Sequence, residues 1–161
     1  MKYYGICPAS CGEFVQGVMD RAEYLCSYAV DLYSTAEVEE KLNNINLGPL
    51  KSRKAIEAVF KKFNIPVEES KNISLKIRSK IPVGKGMASS TADIGATIGA
   101  TLGLIKKELS SEEIAKLAST IEPTDSIYIE KNSIFNPLNG EVIRYLGNVK
   151  DLRVVILEHN S

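Results

Sequence analysis

A glycine-rich loop that runs directly into a long apolar helix constrains this chain more than any other segment. Alternating apolar residues at 73–78 predict a half-buried strand before the loop, and a helix is predicted over Ser89–Lys106. Within that helix Gly95, Gly99 and Gly103 recur at every fourth position and therefore share one face. Because glycine in a helix costs about 1 kcal/mol relative to alanine, we expect this face to pack closely on a sheet.

The loop itself has the composition of a phosphate-binding turn. Gly84 and Gly86 lack Cβ atoms, which allows unusual backbone angles and a close approach to a ligand. Ser89, Ser90 and Thr91 follow where the helix N–H groups lack intrahelical partners and the helix dipole favours an anion. The spacing is neither that of a Walker A motif nor that of a Rossmann fingerprint. The pattern indicates a nucleotide triphosphate site, and a plain turn with a serine cap is the alternative.

Three segments resemble, in order, motifs of the galactokinase, homoserine kinase, mevalonate kinase and phosphomevalonate kinase (GHMP) superfamily. The loop matches the second motif of that family at Pro82, Gly86, Ser89 and Ser90. Met87 and Thr91 stand where the family usually has leucine and alanine. Residues 7–17 resemble the first motif, and residues 122–126 resemble a segment of the L-threonine kinase branch, which serves assembly of the cobalamin nucleotide loop.

The resemblance implies an α+β fold, with a mixed sheet and helices packed on one face, as a single domain over residues 1–161. It implies a cytoplasmic kinase that uses ATP and Mg²⁺ to phosphorylate the hydroxyl of a small amino acid. L-threonine would give O-phospho-L-threonine, and homoserine is the rival acceptor. The third family motif belongs to a C-terminal domain, which we expect to be absent here or supplied by a separate chain. A non-catalytic domain that binds a nucleotide or a partner is therefore the alternative.

The resemblance also assigns roles to individual residues. The residues expected to contact ATP are Pro82, Gly84, Lys85, Gly86, Met87, Ala88, Ser89, Ser90 and Thr91. Ser90 and Glu122 would hold Mg²⁺, which prefers hard oxygen ligands and keeps several waters. Asp125 would accept the proton of the substrate hydroxyl or orient that hydroxyl. Gly12 and Glu13 would border the substrate pocket.

Each of these assignments has a structural alternative. Ser90 suits a helix N-cap, and Asp125 suits an Asx turn within Pro-Thr-Asp-Ser. Glu122 is otherwise a solvated acid near a helix C-terminus, although that end of a helix disfavours a carboxylate. Glu13 is otherwise a turn residue at the end of a strand, and Lys85 either touches a phosphate or lies in solvent.

The charge balance and the cysteines limit the classes of partner. Basic and acidic residues number 20 each, so the net charge is zero, which weighs against an RNA-binding module or another nucleic-acid partner. Three cysteines with no signal peptide predict reduced cytosolic thiols. The only histidine is His159, so we expect no histidine-based triad or metal site. The apolar run over 95–105 is too short to cross a bilayer, so no membrane partner is expected.

The remaining chain alternates strand-like and helical segments. Strands are predicted at Tyr3–Pro8, Glu23–Asp31, Tyr33–Glu40, Ile127–Glu130, Ile134–Leu138, Glu141–Tyr145 and Leu152–Leu157. Helices are predicted at Lys51–Phe63 and Ser111–Thr120, the second opened by a capping box of Ser110 and Glu113. Asn139–Gly140 predicts a hairpin turn. The apolar last strand would leave an exposed edge that favours a homo-oligomer.

Overall fold

The computed structural model describes residues 1–42, 45, 47–147, 149 and 152–157, and His159 lies outside this set. The strands are β1 (Lys2–Met19), β2 (Ala22–Glu40), β3 (Ile73–Ser79), β4 (Ser133–Asn136) and β5 (Glu141–Tyr145). They form one sheet in the order β1-β2-β4-β5, and β3 pairs with the C-terminal part of β2. The predicted α+β class is confirmed. The four strand pairs recorded for the described residues are all antiparallel, whereas the resemblance implied a mixed sheet.

The long hairpin of β1 and β2 joins segments that the sequence divided. Glu23–Asp31 and Tyr33–Glu40 are parts of the single strand β2, which continues through a shift in its pairing with β1. There the register changes from Pro8 opposite Tyr33 to Ala9 opposite Val30, so β2 has extra residues on its side of the pair. A bulge of this kind bends a strand without ending it.

In the described part of the chain, three helices cover one face of the sheet. They are α1 (Leu50–Lys62), α2 (Ser89–Ile105) and α3 (Ser111–Ser119), and two 3-10 segments span Val67–Asn72 and Ser126–Tyr128. Helix α2 lies directly against β1, since a Cβ atom on Gly5 would stand 2.0 Å from the carbonyl oxygen of Ala96. On the opposite face of β1, Tyr4 is 58% exposed and Ile6 is 67% exposed. The predicted packing of helices on one face is therefore confirmed.

The glycine face of α2 provides a matched pair of substitutions. A Cβ atom at Gly95 would lie 2.4 Å from Cε1 of Tyr128 and 2.7 Å from Sγ of Cys7. We expect Gly95→Ala to lower the free energy of unfolding by about 1–3 kcal/mol, because these side chains must move. At Gly99 the nearest atom to such a Cβ is 3.7 Å away, so Gly99→Ala should gain up to about 1 kcal/mol from helix propensity.

Urea titration of the two variants beside the wild type measures this difference. Equal stability of the Gly95→Ala and Gly99→Ala variants would contradict the packing described here.

Two predicted strands are wrong. Ile127–Glu130 is replaced by the 3-10 turn Ser126–Tyr128, because Ser27 N–H donates to Ser126 Oγ at 3.0 Å and the Tyr128 hydroxyl donates to the carbonyl oxygen of Thr91 at 2.7 Å. These two bonds hold the segment against β2 and α2, and it forms no ladder with a strand. Residues 152–157 have no regular secondary structure, and Leu157 is 90% exposed. An apolar run forms a strand only where a neighbouring strand pairs with it.

Shorter local signals agree with the structure. The capping box that opens α3 is present, with the Ser110 hydroxyl accepting from Glu113 N–H and the Glu113 carboxylate accepting from Ser110 N–H. Strands β4 and β5 are joined by a turn in which Gly140 has a φ of +71°. No helix in the described part of the chain has the length and apolarity that a membrane crossing requires.

Candidate functional site

The glycine loop is anchored at one end and open at the other. Gly84 and Gly86 both have a φ of +71°, and a Cβ atom on either would meet nothing within 4 Å. The backbone angles therefore require glycine there, while packing does not. Met87 is 5% exposed in the core, and its carbonyl oxygen accepts from Ser10 N–H at 3.3 Å. Lys85 lies between the two glycines and is exposed.

Helix α2 begins without a side-chain cap. Its N-cap residue is Ala88, in the left-handed conformation with φ 55° and ψ 34°. The alternative in which a serine caps this helix is therefore wrong, and Ser89 and Ser90 occupy the first two helical positions. The first-turn N–H groups lack intrahelical acceptors and point towards the loop. Such an uncapped helix start suits an anion.

Asp125 is held by β2, and the turn that follows it contacts α2. The Ser27 hydroxyl donates to Asp125 Oδ1 at 3.3 Å, and the side chain of Asp125 does not cap the turn that follows it. The alternative of an Asx turn is therefore wrong. Within that turn the Tyr128 hydroxyl bonds to the carbonyl oxygen of Thr91, which follows Ser90 in α2. These contacts bring the turn of Asp125 against the first turn of α2.

Asp125 lies close enough to two other acids, Glu122 and Glu13, for charges to act between them. Burial raises the pKa of Asp125, and the charge of Glu122 raises it further, while the hydrogen bond from Ser27 opposes the shift. Burial also raises the pKa of Glu13, and the charge of Asp125 adds to that effect. Acids that repel one another in a half-buried place form a site where a cation is favourable.

Glu122 is the acid whose environment best fits a metal ion. Its Oε2 accepts from the ammonium group of Lys51, and its Oε1 is buried without a hydrogen-bond partner among the described residues. A buried carboxylate oxygen without a partner is costly, and a hard cation would satisfy it. Within the described residues, no three or more His, Cys, Asp or Glu side chains are grouped as metal ligands. Mg²⁺ needs few protein ligands because water completes its shell.

Gly12 and Glu13 lie within β1 at a bulge, not at a strand end as the structural alternative had it. Gly12 has a φ of +103°, and the register shifts on both sides of Glu13. Glu13 stands opposite Ser27, the residue that bonds to Asp125. The Tyr28 hydroxyl donates to the carbonyl oxygen of Cys11 at 2.7 Å and so fixes the bulge. The bulge therefore brings Glu13 towards Asp125.

A cavity of about 990 Å³ lies beside the hairpin of β1 and β2. It is lined by Phe14, Tyr28, Ala29, Val30, Asp31, Glu130, Asn132, Val149, Leu152, Arg153, Val154 and Ile156. Phe14 and Tyr28 follow Glu13 and Ser27 in the chain, but none of the three acids lines the cavity. The cavity is therefore not the place where the acids meet.

Sequence reasoning did not identify Asp93, Ser34 or Lys51. The Ser34 hydroxyl donates to Asp93, and burial raises the pKa of this carboxyl group. Burial, with the charge of Asp93, raises the pKa of the Cys7 thiol to about 12, so this thiol stays protonated. The one available signal was Asp93 itself, an acid within an apolar helix. Nothing in the local sequence marked Ser34 or Lys51.

The buried charge of Asp125 predicts a pH-dependent change in stability. Because its pKa is raised in the folded state, the wild type loses stability as the pH rises through that pKa, and an amide does not titrate. At neutral pH we expect Asp125→Asn to raise the melting temperature by roughly 2–4 °C, which corresponds to about 1 kcal/mol in a chain of this size. The gain should vanish below the ordinary Asp value of 3.8.

Thermal unfolding at both pH values, with the exposed Asp20→Asn as control, measures this effect. A gain of the same size at both pH values would show that the charge of Asp125 is not its cause.

Comparisons with known proteins agree with the motifs. The GHMP kinases N terminal domain matches residues 51–129. The chain is 44% identical to an L-threonine kinase of Salmonella typhimurium (strain LT2) and 39% identical to one of Citrobacter freundii, each over 83% of this chain. It covers 44% and 46% of those proteins, less than half of their length.

A solved structure agrees with the fold. A crystal structure of mevalonate kinase superposes with a TM-score of 0.63 at 27% identity and covers 89% of this chain, which corresponds to 56% of that chain. The chain belongs to the GHMP kinase family, and residues 51–129 carry the N-terminal domain of that family.

Proposed function

We propose that residues 1–161 form the ATP-binding domain of a kinase that transfers the γ-phosphoryl group of ATP to the hydroxyl of L-threonine. The observation that carries this proposal is the uncapped start of α2 beside three interacting acids. The identity of 44% with an L-threonine kinase favours L-threonine as acceptor. Homoserine differs from it in the position of the hydroxyl and is the second candidate.

The triphosphate binds along the loop and the first turn of α2. Residues 82–91 supply backbone N–H groups, the hydroxyls of Ser89 and Ser90, and the positive end of the helix dipole. Lys85 stands on the exposed side of the loop, where an ammonium group can approach a phosphate. Gly84 and Gly86 leave that side of the loop open to the ligand.

Ser90 and Glu122 would hold Mg²⁺, and the unpartnered Oε1 of Glu122 is the observation that fits this role. Bound there, the ion neutralises charge on the phosphate oxygens. Ser90 and Glu122 would fix the position of the ion. Glu122 N–H bonds to the carbonyl oxygen of Ala118 at 3.3 Å, so the backbone of Glu122 is fixed at the end of α3.

Asp125 accepts the proton of the acceptor hydroxyl, or orients that hydroxyl for attack. Its raised pKa brings the carboxyl group nearer to the working pH, which improves a general base. The bond from Ser27 fixes the direction of the carboxylate. Gly12 and Glu13 form the adjacent wall, and the Glu13 carboxylate suits the ammonium group of an amino acid.

Nucleotide binding and turnover test the proposal in two steps. Calorimetry with ATP should show binding that requires Mg²⁺, and an ADP-release assay should respond to L-threonine more strongly than to homoserine or L-serine. If ATP binds and no hydroxy amino acid raises ADP release, the chain is a nucleotide-binding domain without transferase activity of its own. If ATP does not bind with Mg²⁺ present, the proposed function is wrong.

A further inference from the structure

Two ion pairs fix the directions of α1 and α3 at the edge of the site. Lys62 Nζ, near the end of α1, lies 3.2 Å from Oε1 of Glu113 at the start of α3. Lys51, in the first turn of α1, pairs with Glu122 just beyond the end of α3. The two helices are therefore antiparallel, and the start of α1 lies beside Glu122.

Helix stability does not explain the Lys51–Glu122 pair. Lys51 lies at the positive end of the α1 dipole, where no acid is present in the first turn and no side chain caps the helix. Glu122 lies near the negative end of the α3 dipole, which disfavours a carboxylate. Each residue is therefore at the less favourable end of its helix, and what the two share is their place at the site.

The ion pair is unequally buried and only partly satisfied. The side chain of Glu122 is 15% exposed and that of Lys51 is 54% exposed. Glu122 Oε1 has no partner among the described residues, and an ammonium group has three donors. The carboxylate is thus fixed in the wall of the site, while the lysine approaches it from solvent and is able to swing away.

We propose that Lys51 binds a terminal phosphate of the nucleotide. This inference rests on the proposed function. In the nucleotide-free protein its ammonium group neutralises Glu122, and in the complex with Mg·ATP it exchanges this partner for a β- or γ-phosphate oxygen. The exchange is favourable because Glu122 then has the metal ion as its counter-charge, and because a triphosphate brings more negative charge than a single Mg²⁺ neutralises.

The test is a comparison of Lys51→Met and Lys51→Arg with Lys54→Met. Lys54 is exposed and lies on the same helix, three residues further on. Calorimetry gives the Kd for ATP with Mg²⁺ and for AMP, which lacks the two terminal phosphates. Lys51→Met is expected to weaken ATP binding by about tenfold to a hundredfold, the range of a lost charge-assisted hydrogen bond.

Binding of AMP should stay at the wild-type value, Lys51→Arg should retain most of the affinity for ATP, and Lys54→Met should bind both nucleotides normally. Unchanged ATP binding by Lys51→Met overturns the inference and leaves the proposed function intact. An equal loss for ATP and AMP shows a structural role and also overturns it. If the wild type fails to bind Mg·ATP, the proposed function falls and this inference falls with it.

Discussion

Asp125→Asn is expected to lower L-threonine-dependent ADP release by about 10²–10⁴-fold, the contribution typical of a general base. The amide oxygen keeps an acceptor for the Ser27 hydroxyl, which lies 3.3 Å from Asp125 Oδ1 in the wild type, so the geometry of the turn should persist. What the variant lacks is a group that takes a proton. The Kd for Mg·ATP should change little, because Asp125 is assigned to the acceptor and not to the nucleotide.

The stability of the same variant excludes a trivial cause of lost turnover. Since removal of the buried charge is expected to raise the melting temperature at neutral pH, a loss of activity cannot then be attributed to unfolding. The exposed Asp20→Asn is the matched control, with turnover expected within about twofold of the wild type. Turnover of Asp125→Asn within the same range would remove Asp125 as the base and leave positioning of the hydroxyl as its only role.

Elements set by adjacent residues could be predicted from the sequence. The start of α2 at Ser89 follows from the change from a glycine-rich loop to an apolar helical pattern. The Ser110 and Glu113 box is a contact across three residues, and the structure contains both of its hydrogen bonds. The glycine spacing predicts the packing face of α2 only in part, because Gly95 lies tightly against Tyr128 and Cys7 whereas Gly99 has room for a methyl group.

Contacts between distant segments could not be predicted in this way. Ser27 and Asp125 are 98 positions apart, and Lys51 and Glu122 are 71 apart, so no local pattern joins either pair. Ile127–Glu130 has the composition of a strand, but the bonds of Ser126 to β2 and of Tyr128 to α2 fold it into a turn. Residues 152–157 were assigned from apolarity alone, which gives no information about a pairing partner. Tertiary contacts decide such segments, and intrinsic preference does not.

The role of Ser90 as a metal ligand predicts a change of metal preference in Ser90→Cys. With Mg²⁺ we expect turnover to fall by about 10²–10³-fold, because a thiol is a poor ligand for a hard cation and charge stabilisation at the phosphates is lost. With Mn²⁺ or Cd²⁺, which accept sulfur more readily, the loss should be smaller by at least about tenfold. The variant should fold normally, since α2 has no side-chain cap to lose.

Ser89→Cys is the matched control for this metal exchange. Ser89 precedes Ser90 by one position, so its side chain is turned by about 100° around the helix and is not directed at the same point. We therefore expect a modest loss with Mg²⁺ and no recovery with softer metals. Turnover of Ser90→Cys that falls equally with Mg²⁺, Mn²⁺ and Cd²⁺ would show that the Ser90 hydroxyl does not touch the ion. Glu122 and the phosphates would then coordinate the metal, and the start of α2 would bind the triphosphate through its N–H groups alone.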